Sequence, residues 1–474
     1  MRRPNGYRRR HRVGTVSLLL AVMLVATTVP ASAEKPTYEP RLENLGFSTL
    51  GDPATGENSD ITVNPETGFA YVGAINEFTV KAIDVSDPTN PTLTAEASVL
   101  GGLAGPFDVK VLGDILAAST QGPPETGPLD ELAGVTLFDV SDPGNPVAVS
   151  HLSGADFLEI GPFGSGGPFG AHNSALWSDG DRTWLFVAGL DFVSMVIFDV
   201  TNPASPERVA YYDNGYEDPI GPFPYIHDLF VQENDDRVLT YHAGIKGVEI
   251  LDVTGVIDGT CGSECELTFD DNVVAYNHYT GLLFGDFYSL PSPEVTRPGF
   301  SHYIEPNASG DVTWVGDEEP CGPPGIVHAF DTADLPEPGN AVALEEIGTI
   351  VENPDAATCN NVRNVPVARE ENARSAGNFH AFENTGHNFD IWGDDLLVRA
   401  DYSRGVNVYD ISDPSAVDRV AQARGLNDGV GAFKSAGGGT GLSFPLIWGV
   451  YYDGDLIYAS DIAQGMFILD LVDK

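Results

Sequence analysis

Short runs of apolar residues alternate with small polar residues along most of the chain, and turn-forming residues separate the runs. The segments 61–63 (Ile-Thr-Val) and 69–72 (Phe-Ala-Tyr-Val) are representative. Alternation with a period of two, together with β-branched and aromatic residues, predicts β-strands. The 53 glycines and 34 prolines supply the many turns that such a chain requires. The pattern therefore predicts an all-β protein.

A six-residue phrase recurs after these strands. It consists of an apolar residue, Asp, an apolar residue, a small polar residue, Asp or Asn, and Pro. Clear copies occupy residues 83–88, 138–143, 198–203 and 409–414. Degenerate copies, which keep only part of the pattern, occupy residues 251–254, 330–334 and 469–471. Asp and Ser bond nearby backbone and Pro withholds a ladder donor, so the phrase ends a strand. The seven copies lie 53 to 79 residues apart, which is the length of a propeller blade plus variable loops.

Each unit contains four predicted strands, except the last, which stops after its third strand at residues 466–471. A spare strand at residues 42–50 precedes the first unit. A ring whose last blade borrows this strand would have no exposed edge. We therefore predict a seven-bladed β-propeller of four-stranded blades, with the last blade closed by the N-terminal strand.

The phrases at 83–88, 138–143 and 409–414 resemble the LVIVD repeat family of exported bacterial and archaeal β-propellers. The resemblance extends over nearly all of residues 40–474, and residues 387–394 with 404–410 form the best-preserved copy. It implies an exported propeller but no settled activity. Function must therefore be argued from individual sites.

The N-terminus has the features of a secretory signal. Six arginines precede an apolar stretch at 13–29, and Ala31-Ser32-Ala33 fits a signal-peptidase cleavage motif. We expect residues 1–33 to be removed and residues 34–474 to form a single secreted propeller domain. No later segment is long and apolar enough to be an integral membrane segment.

The charge balance narrows the class of partner. The chain has 24 basic and 69 acidic residues, a formal net charge of −45, and the signal holds six of the basic residues and none of the acids. The negative electrostatic potential of such a chain repels nucleic acid and anionic membrane surfaces. We expect no nucleic-acid partner, and a closed ring is expected to be a monomer.

Four cysteines are present: Cys261, Cys265, Cys321 and Cys359. An even number in an exported protein suggests disulfides. The preferred pairing is Cys261 with Cys265 and Cys321 with Cys359, because each pair brackets a local insertion. Zinc bound by four thiolates is the weaker alternative, since the spacing is atypical and the exterior is oxidising.

Histidines occupy one equivalent position, at the start of the innermost strand, in four consecutive units. They are His172, His227, His302 and His387. Innermost strands line the central channel of a propeller, so these side chains are expected to converge near one mouth. With neighbouring carboxylates they are candidate ligands of a divalent transition metal. The alternative is structural, with each His bonding neighbouring backbone groups.

The turns between second and third strands open on the same face. They carry His242, Glu318, Asp401 and Arg404, which are candidates for general acid–base chemistry. Two functions remain open. One is a binding or interaction module at or outside the cell surface, with a protein or glycan ligand. The other is a metal-dependent enzyme with a His/carboxylate site at the channel mouth. The absence of a recognised catalytic motif favours the first.

Overall fold

Seven sheets, each built on four antiparallel strands, form the blades of a closed ring in the computed structural model of this protein. The structure describes residues 41–51, 57–100, 105–121, 133–157, 171–188, 194–213, 226–244, 246–262, 264–278, 301–318, 325–351, 386–402, 404–423 and 446–472. The predicted signal (1–33) and two of the cysteines, Cys321 and Cys359, lie outside these residues. Among the described residues, no helix has the length and apolar character needed to cross a membrane.

The first strand, β1 (Arg41–Ser48), belongs to the last blade. Blade 1 contains β2 (Asn58–Asn64), β3 (Phe69–Ala74), β4 (Thr79–Asp84) and β5 (Thr92–Ser98). Blade 2 contains β6 (Gly105–Leu112), β7 (Ile115–Gln121), β8 (Gly134–Asp139) and β9 (Val147–Ser153), followed by a 3-10 turn (Gly154–Phe157). Blade 3 contains β10 (Asn173–Ser178), β11 (Thr183–Ala188), β12 (Met195–Asp199) and β13 (Glu207–Asp213).

Blade 4 begins with β14 (Ile226–Asn234), β15 (Arg237–Gly244) and β16 (Gly247–Asp252). Then come α1 (Thr254–Ile257), β17 (Cys265–Thr268), α2 (Phe269–Asn272) and β18 (Val273–Asn277), of which β18 completes blade 4. Blade 5 contains β19 (Ser301–Pro306), β20 (Val312–Asp317), β21 (Val327–Asp331) and, after β22 (Val342–Ala343), β23 (Glu346–Ile350).

Blade 6 contains β24 (Gly386–Trp392), β25 (Leu396–Asp401), β26 (Gly405–Asp410) and β27 (Asp418–Ala423). Blade 7 contains β28 (Ile447–Tyr452), β29 (Leu456–Asp461) and β30 (Gly465–Val472). Its outer strand is β1, which pairs antiparallel with β30 from Arg41 opposite Val472 to Ser48 opposite Met466. The predicted seven-bladed propeller and its closure by the N-terminal strand are confirmed.

The recurring phrase ends the third strand of a blade through one repeated hydrogen bond. In six of the seven copies, a carboxylate oxygen of the first Asp accepts the backbone N–H of the residue two positions later, at 2.9 to 3.1 Å. These aspartates are Asp84, Asp139, Asp199, Asp252, Asp331 and Asp410. The residue between donor and acceptor turns inward; Val140, Val200 and Val253 are at most 1 % exposed. The phrase therefore stops the strand and also places one side chain in the core.

The core lies mainly between neighbouring blades. One cluster combines Ile61 and Val72 of blade 1 with Tyr458 and Ile468 of blade 7. Burial of such interfaces is the main favourable term in folding, at roughly 25 cal/mol per Å² of apolar surface. Each blade is consequently held by both of its neighbours.

Blades 3 and 4 carry a fifth strand that the sequence did not predict. β17 runs parallel to β13 of blade 3, and β22 runs parallel to β18 of blade 4. The predicted disulfide between Cys261 and Cys265 is present, with Cα atoms 5.7 Å apart, at the start of β17. An insertion before the last strand of blade 4 thus widens blade 3, and an insertion before the last strand of blade 5 widens blade 4.

Candidate functional site at the channel mouth

A β-bulge marks the start of the innermost strand in six of the seven blades. The register with the second strand shifts there in each case. The shifts fall at Ser59, Phe107, His227, His302, His387 and Trp448. In blade 3, His172 comes just before β10 and its N–H donates to the carbonyl of Ala188 at 3.2 Å. An extra residue in one strand redirects its side chain, which explains why these positions leave the sheet.

These positions bring the four predicted histidines side by side. Ring centroids are 4.2 Å apart for His172 and His227, 4.0 Å for His227 and His302, and 4.3 Å for His302 and His387. Two other aromatic rings close the circle. Trp448 lies 4.7 Å from His387, and Phe107 lies 6.0 Å from Trp448 and 5.8 Å from His172. Four of these six rings are therefore imidazoles, and Trp448 and Phe107 continue into a cluster with Tyr402, Leu446 and Ile462.

Burial keeps these imidazoles neutral. His227, His302 and His387 are 2 to 6 % exposed, and His172 is half-buried. Burial lowers the pKa of His172 to about 3 and that of His387 to about 4, and it holds the pKa of His227 and His302 well below the usual range. Repulsion among the rings adds to the effect at His172, His227 and His302. All four side chains therefore carry an unprotonated ring nitrogen at neutral pH.

Two of the histidines bond to the backbone of the next blade. Nδ1 of His227 lies 2.9 Å from the carbonyl oxygen of His302, and Nδ1 of His387 lies 2.6 Å from that of Trp448. A carbonyl oxygen can only accept, so each Nδ1 must carry the proton. The lone pair of each ring is then on Nε2.

Glu318 joins the histidines from the end of β20. It is 8 % exposed, and its Oε1 accepts a hydrogen bond from the Tyr402 hydroxyl at 2.9 Å. Its Oε2 lies 3.5 Å from Nε2 of His302. Burial raises the pKa of Glu318 to about 7, against the opposing effect of the Tyr402 hydrogen bond. One ligand atom each from His227, His302 and Glu318 lie within 4.8 Å of one another.

The other acid–base candidates lie within their blades. His242 is 1 % exposed, opposite Glu249 in the sheet and 5.8 Å from the ring of Tyr212. Neither of its ring nitrogens has a hydrogen-bond partner in the described part of the chain, and burial lowers its pKa to about 4. Asp401 pairs with Arg399 at 2.8 Å. Arg404 donates its backbone N–H to the carbonyl of Asp401 at 3.2 Å.

A charged layer that the sequence did not predict lies one position deeper in the channel. Nζ of Lys110 lies 2.7 Å from Asp60 Oδ2 and also contacts Asp108. Asn388 donates to Asp60 at 3.2 Å. A lysine inside the strand Val109-Lys110-Val111 of so acidic a chain is the signal that could have revealed this layer.

The ammonium group of Lys110 interacts electrostatically with three carboxylates of this layer, those of Asp60, Asp108 and Asp228. Burial alone would lower the pKa of Lys110, but Asp108 and Asp60 outweigh it and hold that pKa well above its usual range. Burial raises the pKa of Asp108 to about 7 and strongly raises that of Asp228, despite Lys110. Asp108 is therefore partly protonated near neutral pH. Asp60 and Lys110 also line a cavity of about 60 Å³, to which all seven innermost strands contribute and which has room for a few water molecules.

A larger groove lies at the rim, between blades 3 and 4. Its volume is about 510 Å³, and its lining consists of Asp213, Lys246, Glu266, Thr268, Phe269, Asp270 and His278. Behind it, buried Glu249 accepts hydrogen bonds from Tyr212 at 2.8 Å and His278 at 3.0 Å. Asp213 ends β13, and Lys246 and His278 follow the ends of β15 and β18, on the face that carries the histidine circle. The two sites therefore open on the same side of the ring.

Comparison with known proteins identifies the repeat. Residues 55–97, which cover blade 1 except the last residue of β5, match the family model of the LVIVD repeat. This chain carries an LVIVD repeat. No curated protein matches it significantly in sequence. Among solved structures, it is similar to the computationally designed Ika8 protein, with 7 % identity and a TM-score of 0.45, over 90 % of this chain and 99 % of that chain.

An LVIVD repeat in a propeller ring suggests an interaction module. Neither the comparisons nor the geometry of the described residues supports the metal-dependent enzyme that the sequence left open. His242, Asp401 and Arg404 are not brought into the histidine circle by any contact described above. The convergence of the four imidazoles and Glu318 remains as a structural feature of the channel mouth.

Proposed function

We propose that this LVIVD-repeat propeller is an exported binding module whose ligand occupies the groove between blades 3 and 4. The observation that carries the proposal is the groove itself. Its volume of about 510 Å³ falls in the range of small-ligand sites, and charged, hydroxyl and aromatic groups converge on it.

The lining indicates the chemistry of the ligand. Phe269 offers an aromatic face, and its ring lies 5.5 Å from Tyr276 and 6.0 Å from His278. Three carboxylates (Asp213, Glu266, Asp270) outnumber the one lysine, Lys246. A ligand with many hydroxyl donors and no negative charge fits these groups. The net charge of −45 of the whole chain likewise disfavours an anionic ligand. An extracellular glycan has this character.

The groove is preorganised by hydrogen bonds beneath it. His278 is fixed through Nε2 to Glu249 at 3.0 Å, and Thr268 donates its N–H to Asn272 at 3.0 Å. A site that is already ordered loses less conformational entropy on binding. This rigidity supports recognition rather than a purely structural role for the insertion.

Glycan-array binding with residues 34–474 tests the groove. The variant carrying Phe269→Ala and Asp270→Asn should bind the selected glycan at least about tenfold more weakly, since central aromatic contacts dominate such sites. Val147→Ala, at an exposed position on blade 2, is the control and should bind like the wild type. Equal affinity of the double variant and the wild type would refute the groove as the site.

Export is the second part of the proposal. It is supported by the signal-like residues 1–33 and by the disulfide between Cys261 and Cys265, which is typical of oxidising compartments. Mass spectrometry of protein from the culture medium should give a chain beginning at Glu34. Retention of the full chain inside the cell would contradict export.

A further inference from the structure

We propose that His227, His302 and Glu318 form a binding site for one divalent transition-metal ion at the mouth of the channel. Their ligand atoms lie within 4.8 Å of one another. Nε2 of His302 and Oε2 of Glu318 are 3.5 Å apart. Two ligands bound tetrahedrally at about 2.1 Å are separated by about 3.4 Å, so this pair already has the spacing of a shared metal.

Outer contacts hold two of the three ligands in the required orientation. His227 donates its Nδ1–H to the carbonyl of His302 and so directs its lone pair through Nε2. Tyr402 donates to Oε1 of Glu318 and leaves Oε2 toward His302. Metal-bound imidazoles and carboxylates in proteins are almost always fixed by such second contacts.

The donor set selects the class of ion. Two imidazoles and one carboxylate suit Zn²⁺, Co²⁺ and related first-row ions, whereas Ca²⁺ and Mg²⁺ prefer six or more oxygens. His172 and His387 are the neighbouring sources of a fourth nitrogen, with rings 4.2 Å from that of His227 and 4.3 Å from that of His302. The remaining coordination position of the metal ion would be available to water.

The metal site stands apart from the proposed groove. Its ligands come from blades 4 and 5, with Tyr402 from blade 6, whereas the groove is lined by blade 3, blade 4 and the insertion. No residue is shared between them. Loss of metal binding and loss of glycan binding can therefore be measured separately.

Cobalt binding tests the site. Residues 34–474, purified without a histidine tag and stripped with a chelator, are titrated with Co²⁺ and followed by visible absorption and calorimetry. We expect one equivalent of Co²⁺ per chain, displaced by Zn²⁺. His302→Ala and the isosteric Glu318→Gln should each lose this equivalent. His151→Ala, in the outer strand of blade 2, should keep it.

Tyr402→Phe provides a graded test that removes only one hydroxyl. Its affinity for Co²⁺ should fall about 10- to 100-fold while one equivalent still binds. Far-UV circular dichroism and thermal unfolding of each apo variant establish that the fold is retained. The proposal is overturned if the wild type binds no Co²⁺ at millimolar concentration. It is equally overturned if folded Glu318→Gln binds as tightly as the wild type, in which case Glu318 and His302 are only a hydrogen-bonded pair.

Discussion

Buried polar side chains of this propeller bond across blade boundaries as well as within blades. Asn173 donates to the carbonyl of His227 at 2.7 Å, and His227 in turn bonds to the carbonyl of His302. The structural role that the sequence left open for the histidines is thus present at two of them. It does not compete with metal binding, because it uses Nδ1 and leaves Nε2. Which ring nitrogen faces which group depends on side-chain rotamers, and no sequence pattern encodes that detail.

His328 shows how a buried residue makes stability depend on pH. It is fully buried, with Nε2 3.0 Å from Asp317 and Nδ1 3.2 Å from Glu346. Burial alone would lower its pKa, but the two carboxylates outweigh burial and raise the pKa to about 9. Because the folded pKa exceeds the unfolded value of about 6.5, the stabilisation is complete below about pH 6.5 and is lost as the pH rises through about 9.

Urea unfolding of wild type and His328→Gln at pH 6 and pH 9.5 checks this effect. The variant should be less stable at pH 6 by on the order of 2–3 kcal/mol, and the gap should shrink at pH 9.5. A gap of equal size at both pH values would show that His328 is not held in its charged form.

Strands and their ends are the elements that the sequence predicted well. The phrase led to the third strand of every blade, because its Asp ends the strand by a local hydrogen bond. Features that depend on pairing between strands were missed. The bulges of the innermost strands arise from their register with the second strand. The strands β17 and β22 form by pairing with β13 and β18 of the preceding blade. A single strand sequence carries no information about such partners.

Neighbouring blades are also joined at the proline of the phrase. Gly348 in the outer strand of blade 5 faces the carbonyl oxygen of Pro414 in blade 6, and a Cβ added at Gly348 would clash with that oxygen. Gly348→Ala should therefore destabilise the protein by about 1–3 kcal/mol. Gly255→Ala, whose added Cβ would meet nothing closer than 3.4 Å, is the control. Chemical denaturation measures both, and equal midpoints would contradict close packing at the blade junction.

At the scale of the whole molecule, circular symmetry is what made the site predictable. Equivalent positions of consecutive blades had to face a common axis, so four histidines at one position had to meet. Symmetry could not predict that Glu318 rather than Asp401 or Arg404 would join them. It also could not predict that Lys110 would lie among the carboxylates of the next layer, because no other blade has a basic residue at the position of Lys110.

Ring closure by β1 predicts a strong effect of truncation. Removing residues 34–50 deletes β1 and exposes the edge of β30, so the protein should aggregate and lose the elution peak of the intact protein in size-exclusion chromatography. Removing only residues 34–40, which precede β1, is the matched control and should leave the peak intact. A soluble, equally stable protein without β1 would contradict closure of the ring by this strand.

The convergence of the histidine circle on one ligand site is tested most directly by anomalous diffraction from crystals soaked in Co²⁺. We predict one strong anomalous peak at the channel mouth, about 2.1 Å from a ring nitrogen of His227 and His302 and from a carboxylate oxygen of Glu318. A map whose peaks lie only at other residues, or coordinates in which these imidazoles point to separate surfaces, would contradict the account.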